Sequence, residues 1–520
     1  METEKSLSTE LTNKMTKVAA FLTFGKGVSL ILNLVTFVII ARIIGPSNFG
    51  IYTLIMTVVG LLTGFGNPSI NSYISERIPK LISGKKNNEA KLLLGDTILL
   101  SIIFGGLLLL IGLALSGYVS IYVVHSAPNL LAIQISMLVI IFSLLYTNLY
   151  SYILSMNNGK VLAKTSILHA IAQFIFSIGL VLLGFSILGA ISGYLIALVI
   201  STIFEFSVLY KTSGINIKLE NFKKRAINIL SFSKSLAYSN IASNISGNFG
   251  VLFLGILVPA SLVGYYGVAS KIGALIDVFV GAIGLAILPM FSEAIYLKKK
   301  GVNAGKFFSY SVYMAILFAM PIIMFLVVFA GEITFIAFSN TYAGSVPYMQ
   351  LISIGILISL FSGFGSNFLI SSAKQKKIFK YTLITSIIQI ITTIILVPLF
   401  NVYGLILSLF FIGTIASNIL YFNYLCKLGI DIKLRKLSRL IFSNILFAFI
   451  ILPLTLIIPE SIGLVLGFFA IFLLYPIILG FLKGISKTDL ELIEKASKSI
   501  PLFGVVVRKI VSYANIFVRC

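Results

Sequence analysis

The sequence predicts an all-α polytopic membrane protein with fourteen transmembrane helices. Of its 520 residues, 58% are hydrophobic and 11% are charged, and the mean hydropathy is +1.07. This composition excludes a water-soluble globular protein. The chain divides into fourteen apolar runs of about 20 residues, the length that crosses a hydrocarbon core about 30 Å thick. We interpret the runs as helices because lipid offers the backbone no hydrogen-bond partners, and a β-barrel would show shorter alternating strands.

The basic residues are distributed on one side of the predicted bundle. Thirty-six of the 39 Lys and Arg residues fall in segments that alternate crossings place on a single side. The positive-inside rule makes that side cytoplasmic, which predicts a multi-pass protein of the cytoplasmic membrane with both termini inside. The net charge of +23 then reflects topology and contacts with membrane lipids, and no basic stripe indicates a nucleic acid. Cys426 and Cys520 both fall on the cytoplasmic side, so we expect no disulfide.

The elements follow in order from hydropathy. Residues 1–17 mix acids and bases and form a cytoplasmic segment before a first helix that is too long for a cleaved signal sequence. The outer gaps are short, so no extracellular domain is expected to hold an active site. The predicted spans are 18–41, 50–74, 93–115, 130–153, 165–184, 189–210, 236–257, 264–289, 307–330, 347–372, 381–398, 403–426, 440–459 and 463–482.

The first twelve spans form two copies of a six-helix unit. Polar residues of the fifth span recur in the eleventh, displaced by 216 residues, and glycines recur at displacements of 214 and 215. An even number of crossings makes the copies parallel repeats, as in transporters that bind substrate between their halves. This predicts two six-helix lobes around a central cavity, although a duplicated scaffold is an alternative. The matches are Ser166, His169, Gln173 and Ser177 with Thr382, Thr385, Gln389 and Thr393; Gly50 with Gly264; and Gly189 with Gly404.

The predicted domains follow from these repeats. The two last helices have no partner in the repeat and form an addition. After them, Thr488 to Glu491 fits a capping box that opens a short helix, and the apolar run 502–518 is interrupted by Arg508 and Lys509. We therefore expect an amphipathic tail at the membrane surface. The domains are the N-lobe 18–210, a linker 211–235, the C-lobe 236–426, a linker 427–439, the extra helices 440–482 and the tail 483–520.

Polar residues within the apolar spans predict a substrate-binding cavity, because such residues are costly in lipid. They line single helical faces of spans one, two and seven, whereas Lys271 and Asp277 of span eight point about 120° apart. Lys26 lies roughly 12 Å from the start of its span. Residues 64–68 should bend the second span. Packing between helices is the alternative for the small residues Gly60 and Gly64, and a membrane-surface anchor is an alternative for Arg42. The candidate cavity residues are Lys26, Ser29, Asn33, Thr36, Arg42, Thr57, Asn67, Asn71, Asn240, Asn244, Asn248 and Lys271.

Four further ionisable residues lie within or next to the spans. Asp277 is the candidate for binding a coupling ion, Na⁺ or H⁺, because packing between membrane helices does not require a charged side chain. Asp96 and Glu205 lie near the cytoplasmic ends of their spans, and we expect interfacial ion pairs with Lys91 and Lys211. His169 is interpreted as a hydrogen-bonded histidine within the bundle. The sequence has no phosphate-binding loop, metal-ligand cluster or catalytic motif, so we expect neither a cofactor nor an enzyme.

Several short motifs resemble those of a known family. Residues 41–52, which read ARIIGPSNFGIY, are similar to the Wzx-like polysaccharide flippases of the multidrug/oligosaccharidyl-lipid/polysaccharide exporter superfamily. Further matches are Gly264 to Ala269, Pro289 to Ser292, Asn340 to Ala343, Val397 to Phe400 and Lys487 to Asp489. The resemblance covers nearly the whole chain. One departure is Gly250, where many relatives have an Asp late in the seventh helix.

The resemblance implies a function as well as a fold. It implies that spans one, two, seven and eight line the cavity, and that the substrate is an oligosaccharide linked to a polyprenyl phosphate or pyrophosphate. The substrate would be exported from the inner to the outer leaflet, with glycan assembly enzymes as potential partners. The alternatives are an ion-coupled multidrug or small-solute antiporter of the same fold and, from a different class, a membrane glycan polymerase or ligase.

Overall fold

The computed structural model describes residues 2–67, 70–232, 234–277, 304–372, 374–428, 434–497 and 503–517. Within these ranges every regular element is a helix, and ten helical stretches are long and apolar enough to cross a membrane. The prediction of an all-α membrane protein is therefore confirmed. The chain divides into two compact units, which are described separately below.

The first unit runs to Gly264 and also includes Thr382–Ile390 and Val397–Asn401. A core between α2, α3 and α4 is formed by large apolar side chains such as Ile74, Leu94 and Tyr152. The helices are α1 Glu2–Gly66, α2 Ile70–Ser83, α3 Asn87–Tyr118, α4 Leu130–Ser155, α5 Gly159–Leu180, α6 Ser186–Thr212, α7 Phe222–Phe232 and α8 Lys234–Leu257.

The second unit contains the remainder of the chain. Its first helix, α9, is described over residues 260–277 and begins in the first unit. The second half of the predicted eighth span, 278–289, lies outside the described residues. The further helices are α10 Ala304–Val328, α11 Ala330–Phe338, α12 Val346–Ser371, α13 Gln375–Ile406, α14 Gly413–Lys427, α15 Leu434–Ile457, α16 Glu460–Phe481, α17 Lys487–Ser497 and α18 Phe503–Phe517.

Three of the ten membrane-spanning stretches each contain two predicted spans, and a residue with positive φ separates the two. Gly45, with φ 74°, breaks α1 just before Pro46. Ser186, with φ 45° and ψ −123°, begins α6, and Asn401, with φ 52° and ψ −126°, interrupts α13. Ser186 and Asn401 are 215 residues apart and have nearly the same backbone conformation, so the two copies of the repeat turn at the same place. This division fits fourteen crossings.

The linker is fastened to the first unit by a buried ion pair. Asp96 in α3 is 2% exposed, and its carboxylate accepts from Arg225 Nε at 2.7 Å and from Arg225 Nη2 at 2.9 Å. The hydrogen bond to Asp96 raises the pKa of the Arg225 guanidinium above its ordinary value. The predicted ion pair of Asp96 exists, but its partner is Arg225 of α7 rather than Lys91, because α7 folds back against α3.

The start of α17 differs from the predicted capping box. Asp489, rather than Glu491, reaches back, and its Oδ2 accepts from Ser486 N at 2.9 Å and from Ser486 Oγ at 2.6 Å. The helix therefore begins at Lys487, two residues earlier than a box with Thr488 as the cap predicts. Tyr313 of α10 donates to the Gly484 carbonyl at 2.6 Å, which holds this turn against the helix bundle.

Two glycines matched by the repeat permit a close approach of backbones within the first unit. A Cβ at Gly50 would collide with the carbonyl oxygen of Ala260, and a Cβ at Gly264 would collide with the carbonyl oxygen of Pro46. The start of the second predicted span and the start of α9 therefore pack backbone against backbone. Only glycine fits at these two positions.

We expect Gly50→Ala to destabilise the folded protein by about 1–3 kcal/mol, because the methyl group meets a backbone carbonyl that cannot rotate away. The midpoint of thermal unfolding in detergent measures the effect. Gly106→Ala in α3 is the matched control, because a Cβ there meets no atom within 4 Å. Equal midpoints for the two variants would contradict the close approach.

Candidate functional site

The polar face of the first predicted span separates into buried and exposed residues. Ser29 Oγ donates to the Gly25 carbonyl at 2.7 Å and Thr36 Oγ1 donates to the Leu32 carbonyl at 2.8 Å, and both residues are buried. Asn33 is half-buried, and its Oδ1 is buried without a hydrogen-bond partner. Lys26 is exposed, one helical turn before the Ser29 position. The two hydroxyls therefore form hydrogen bonds within their own helix, whereas the Lys26 side chain is exposed.

The second predicted span continues this arrangement as far as Gly66. Thr57 Oγ1 donates to the Thr53 carbonyl at 2.7 Å, and Thr57 is half-buried. The helix then ends, and Asn67 Oδ1 accepts from Ile70 N at 3.1 Å, which caps α2. The predicted break at residues 64–68 is confirmed. Asn71 is half-buried in the first turn of α2.

Asparagine side chains of α8 lie against the glycines of the second predicted span. Asn244 Nδ2 donates to the Gly60 carbonyl at 3.3 Å, and the Asn244 amide fills the space that a Cβ at Gly64 would need. Asn248 Nδ2 donates to the Asn244 carbonyl at 2.9 Å, whereas Asn240 is exposed one turn earlier. Gly60 and Gly64 therefore serve helix packing, as small residues do between membrane helices.

Two amide oxygens of this group are buried and lack a partner, Asn33 Oδ1 and Asn244 Oδ1. An amide oxygen accepts two hydrogen bonds, so each of these oxygens has unused acceptor capacity. Exposed Lys26 supplies a positive charge on the same helix as Asn33. Donors, acceptors and a cation together form the chemistry that binds sugar hydroxyls and phosphate.

The remaining charged candidates are exposed. Arg42 lies at the C-terminal end of the first predicted span, just before the break at Gly45. Lys271 and Asp277 lie six residues apart on α9 in the second unit, and Asp277 is the last residue of that helix that the structure describes. Among the described residues, none of these three groups forms an ion pair within 4.0 Å.

Sequence reasoning missed the environment of Glu205 in α6. The predicted ion pair with Lys211 is wrong, because Glu205 is 0% exposed and neither carboxylate oxygen has a hydrogen-bond partner. The prediction for His169 is confirmed, since its Nδ1 lies 3.3 Å from Ser201 Oγ. Ser201 and Glu205 share one helical face at a spacing of four residues, but their spacing alone does not reveal whether that face is buried.

Apolar membrane-spanning helices that contain amide and charged side chains define a polytopic membrane protein of the transporter class. The chain belongs to the family described as polysaccharide biosynthesis protein, whose family model matches residues 15–295. It is also similar to a Shigella flexneri protein named "Putative O-antigen transporter". The two are 24% identical over 354 residues, which covers 66% of this chain and 80% of that protein.

Solved structures share the fold. The inward closed conformation of the lipid II flippase MurJ has a TM-score of 0.71 at 17% identity, over 88% of this chain and 97% of that chain. An inward-facing multidrug resistance MATE family transporter of the MOP superfamily has a TM-score of 0.61 at 16% identity, over 76% of this chain and 93% of that chain. These identities are low, so the likeness to the solved structures concerns the fold alone.

A double-mutant cycle tests the contact between Asn244 and Gly64. Gly64→Ala should destabilise the protein by about 1–3 kcal/mol, because the new methyl group overlaps the Asn244 amide. In an Asn244→Ala background the amide is absent, so the same substitution should be nearly neutral. Thermal unfolding in detergent measures all four variants, and strictly additive effects would contradict the contact.

Proposed function

We propose that this protein is a flippase that moves an oligosaccharide linked to a polyprenyl phosphate or pyrophosphate from the inner to the outer leaflet. It would act by alternating access during glycan biosynthesis. The observation that carries the proposal is membership of the polysaccharide biosynthesis family, together with the fold shared with a lipid II flippase. The "Putative O-antigen transporter" relative supports the same substrate class.

The physical difficulty in this reaction is the head group. A polyprenyl tail can remain in lipid throughout, whereas a phosphate and several hydroxyls must cross a medium that offers them no partners. The phosphate charge would be offset by exposed Lys26 and, at other positions, by Lys271 and Arg42. Asn33 and Asn244 have buried amide oxygens that would accept from sugar hydroxyls. The other candidate cavity residues complete this proposed path.

The competing transporter function receives less support. Multidrug MATE structures share the fold at lower TM-scores and at identities of 15–16%. Identities this low do not indicate a shared substrate. An antiporter of cationic drugs would need an acidic cavity, whereas the charge within the first span is basic. The proteins named in the comparisons are transporters and flippases, which favours transport over a polymerase or ligase.

Reconstitution tests the proposal directly. Purified protein in liposomes should move a polyprenyl-pyrophosphate oligosaccharide to the opposite leaflet, where an added glycosidase or lectin detects it. Lys26→Gln should lower the rate roughly tenfold or more at low substrate concentration, because one charge-assisted contact of about 1.5–3 kcal/mol is lost. Lys26→Arg keeps the charge and should retain most of the rate.

Lys427→Gln is the control, because Lys427 is likewise exposed but lies at the cytoplasmic end of α14. Equal rates for the Lys26→Gln and Lys427→Gln proteins would remove Lys26 from the proposed path. Absence of flipping by the unmodified protein, with its fold intact, would contradict the flippase proposal itself.

We place the protein in the cytoplasmic membrane, with both termini in the cytoplasm and with two parallel six-helix lobes at the predicted boundaries. The distribution of Lys and Arg supports this orientation. Glycan assembly enzymes on either leaflet would be its partners. A proton or Na⁺ gradient would drive transport, and Asp277 is the candidate for ion coupling that the sequence indicates.

The orientation can be measured at Cys426, which is exposed at the end of α14. In a Cys520→Ser protein, a membrane-impermeant maleimide should label Cys426 in inverted membrane vesicles and not in intact cells. Cys426→Ser abolishes the signal and serves as the control. Labelling from outside intact cells would reverse the proposed topology.

A further inference from the structure

The most unusual polar group in the first unit is the carboxylate of Glu205. It is fully buried in α6, and both of its oxygens lack a hydrogen-bond partner. The other two buried acids in the described part of the chain are satisfied: Asp96 binds Arg225, and Asp489 accepts from Ser486. Glu205 therefore differs from acids that hold the fold together.

The groups around Glu205 come from several helices. From α4, Tyr146 and Tyr150 lie near the carboxylate. From α5, the His169 ring stacks on Tyr146 with centroids 5.3 Å apart and meets the edge of Tyr194 of α6 at 5.8 Å. Tyr52 of α1 lies near Tyr194. Among the described residues no Lys or Arg forms an ion pair with Glu205.

Ser201 of α6 contacts His169. Ser201 Oγ donates to the Ala197 carbonyl at 2.8 Å and lies 3.3 Å from His169 Nδ1. Tyrosines do not change charge near neutral pH, so Glu205 and His169 are the two groups of this cluster that can take up or release a proton there.

Burial without a partner strongly disfavours a charged carboxylate, whereas a neutral carboxylic acid is tolerated at much lower cost. Ionisation of Glu205 would thus require a conformation in which water or a cation reaches it. A group of this kind links its proton occupancy to the conformation of the protein. Ionisable residues within membrane helices of this kind mark functional sites by default.

The repeat within the chain argues against a purely structural role. Ser186 and Asn401 set a displacement of 215 residues between α6 and its counterpart in the second copy. At that displacement Glu205 corresponds to Leu420, and the π-helical turn Leu407–Ile412 of the second copy, which adds a residue, moves the match to Tyr421. Neither residue is an acid, so the same helix of the repeat forms without one.

We propose that Glu205 is a proton-binding site whose loading and release couple a proton gradient to translocation. Loading transfers one proton from water to a carboxylate oxygen and removes one negative charge; release returns the proton to water in the other conformation. The coupling rests on the flippase function proposed above, whereas proton binding by Glu205 does not. The proposal also moves the coupling role from Asp277 to the first unit.

Infrared difference spectroscopy tests proton binding without any substrate. During a pH titration of the purified full-length protein above the ordinary range of Asp and Glu, a carbonyl stretch of a protonated carboxylic acid should appear as pH falls. Glu205→Gln should remove this band, and Glu491→Gln, a change at an exposed acid of α17, should leave it unchanged. A band that still titrates above that range in Glu205→Gln would overturn the site. If Glu205→Gln does not fold, Glu205→Leu replaces it.

Flipping in proteoliposomes tests the coupling. For one proton per cycle, a gradient of about one pH unit can shift the distribution of substrate up to about tenfold. Glu205→Gln should flip at a rate and to an extent that no longer respond to the gradient, whereas Glu491→Gln should respond like the unmodified protein. Loss of the response in Asp277→Asn alone, or a response to Na⁺ that Glu205→Gln abolishes, would overturn proton coupling at Glu205. If the unmodified protein does not flip the substrate, the flippase proposal fails, and the infrared titration still decides whether Glu205 binds a proton.

Discussion

The absence of hydrogen-bond partners in lipid is the constraint on which the rest of this structure depends. It makes every span a helix, and it returns most hydroxyl groups to carbonyls of their own helix, as at Ser29, Thr36 and Thr57. An unsatisfied polar group in a membrane helix therefore indicates a role in function rather than in folding. Asn33, Asn244 and Glu205 are such groups, and they support the proposed substrate path and the proposed proton site.

Lipid also removes most of the hydrophobic driving force between helices, so close packing must replace it. Glycine, which has no side chain, provides the space for this packing. Gly25 packs against Ala163, and Gly193 packs against the backbone of Ser177. The second copy of the repeat uses hydroxyl pairs at the corresponding place, where Thr393 Oγ1 and Ser408 Oγ lie 2.8 Å apart. Two sequences with little in common thereby form the same helix pair, and each is free to carry different polar groups at other positions.

Strong polar contacts hold the connecting segments. The bidentate pair of Asp96 and Arg225 holds the linker, and Asp489 with Ser486 and Tyr313 holds the start of the tail. Both carboxylates are buried beside donors that match them, which is the arrangement in which a buried charge is stable. Glu205 lacks such donors. This contrast separates the acids that organise the fold from the acid that we assign to proton binding.

Hydropathy and charge determined the helical class and the positions of the spans, because the length of a bilayer crossing and the cost of charge in lipid act locally along the chain. The same local physics located the break at residues 64–68 and the repeat that relates Gly50 to Gly264. Only the tertiary structure decided which neighbours each polar side chain meets. It paired Asp96 with Arg225 instead of Lys91, and it buried Glu205 without an ion-pair partner. The reason is that helical spacing orders side chains around one helix, whereas burial and partners depend on helices distant in the sequence.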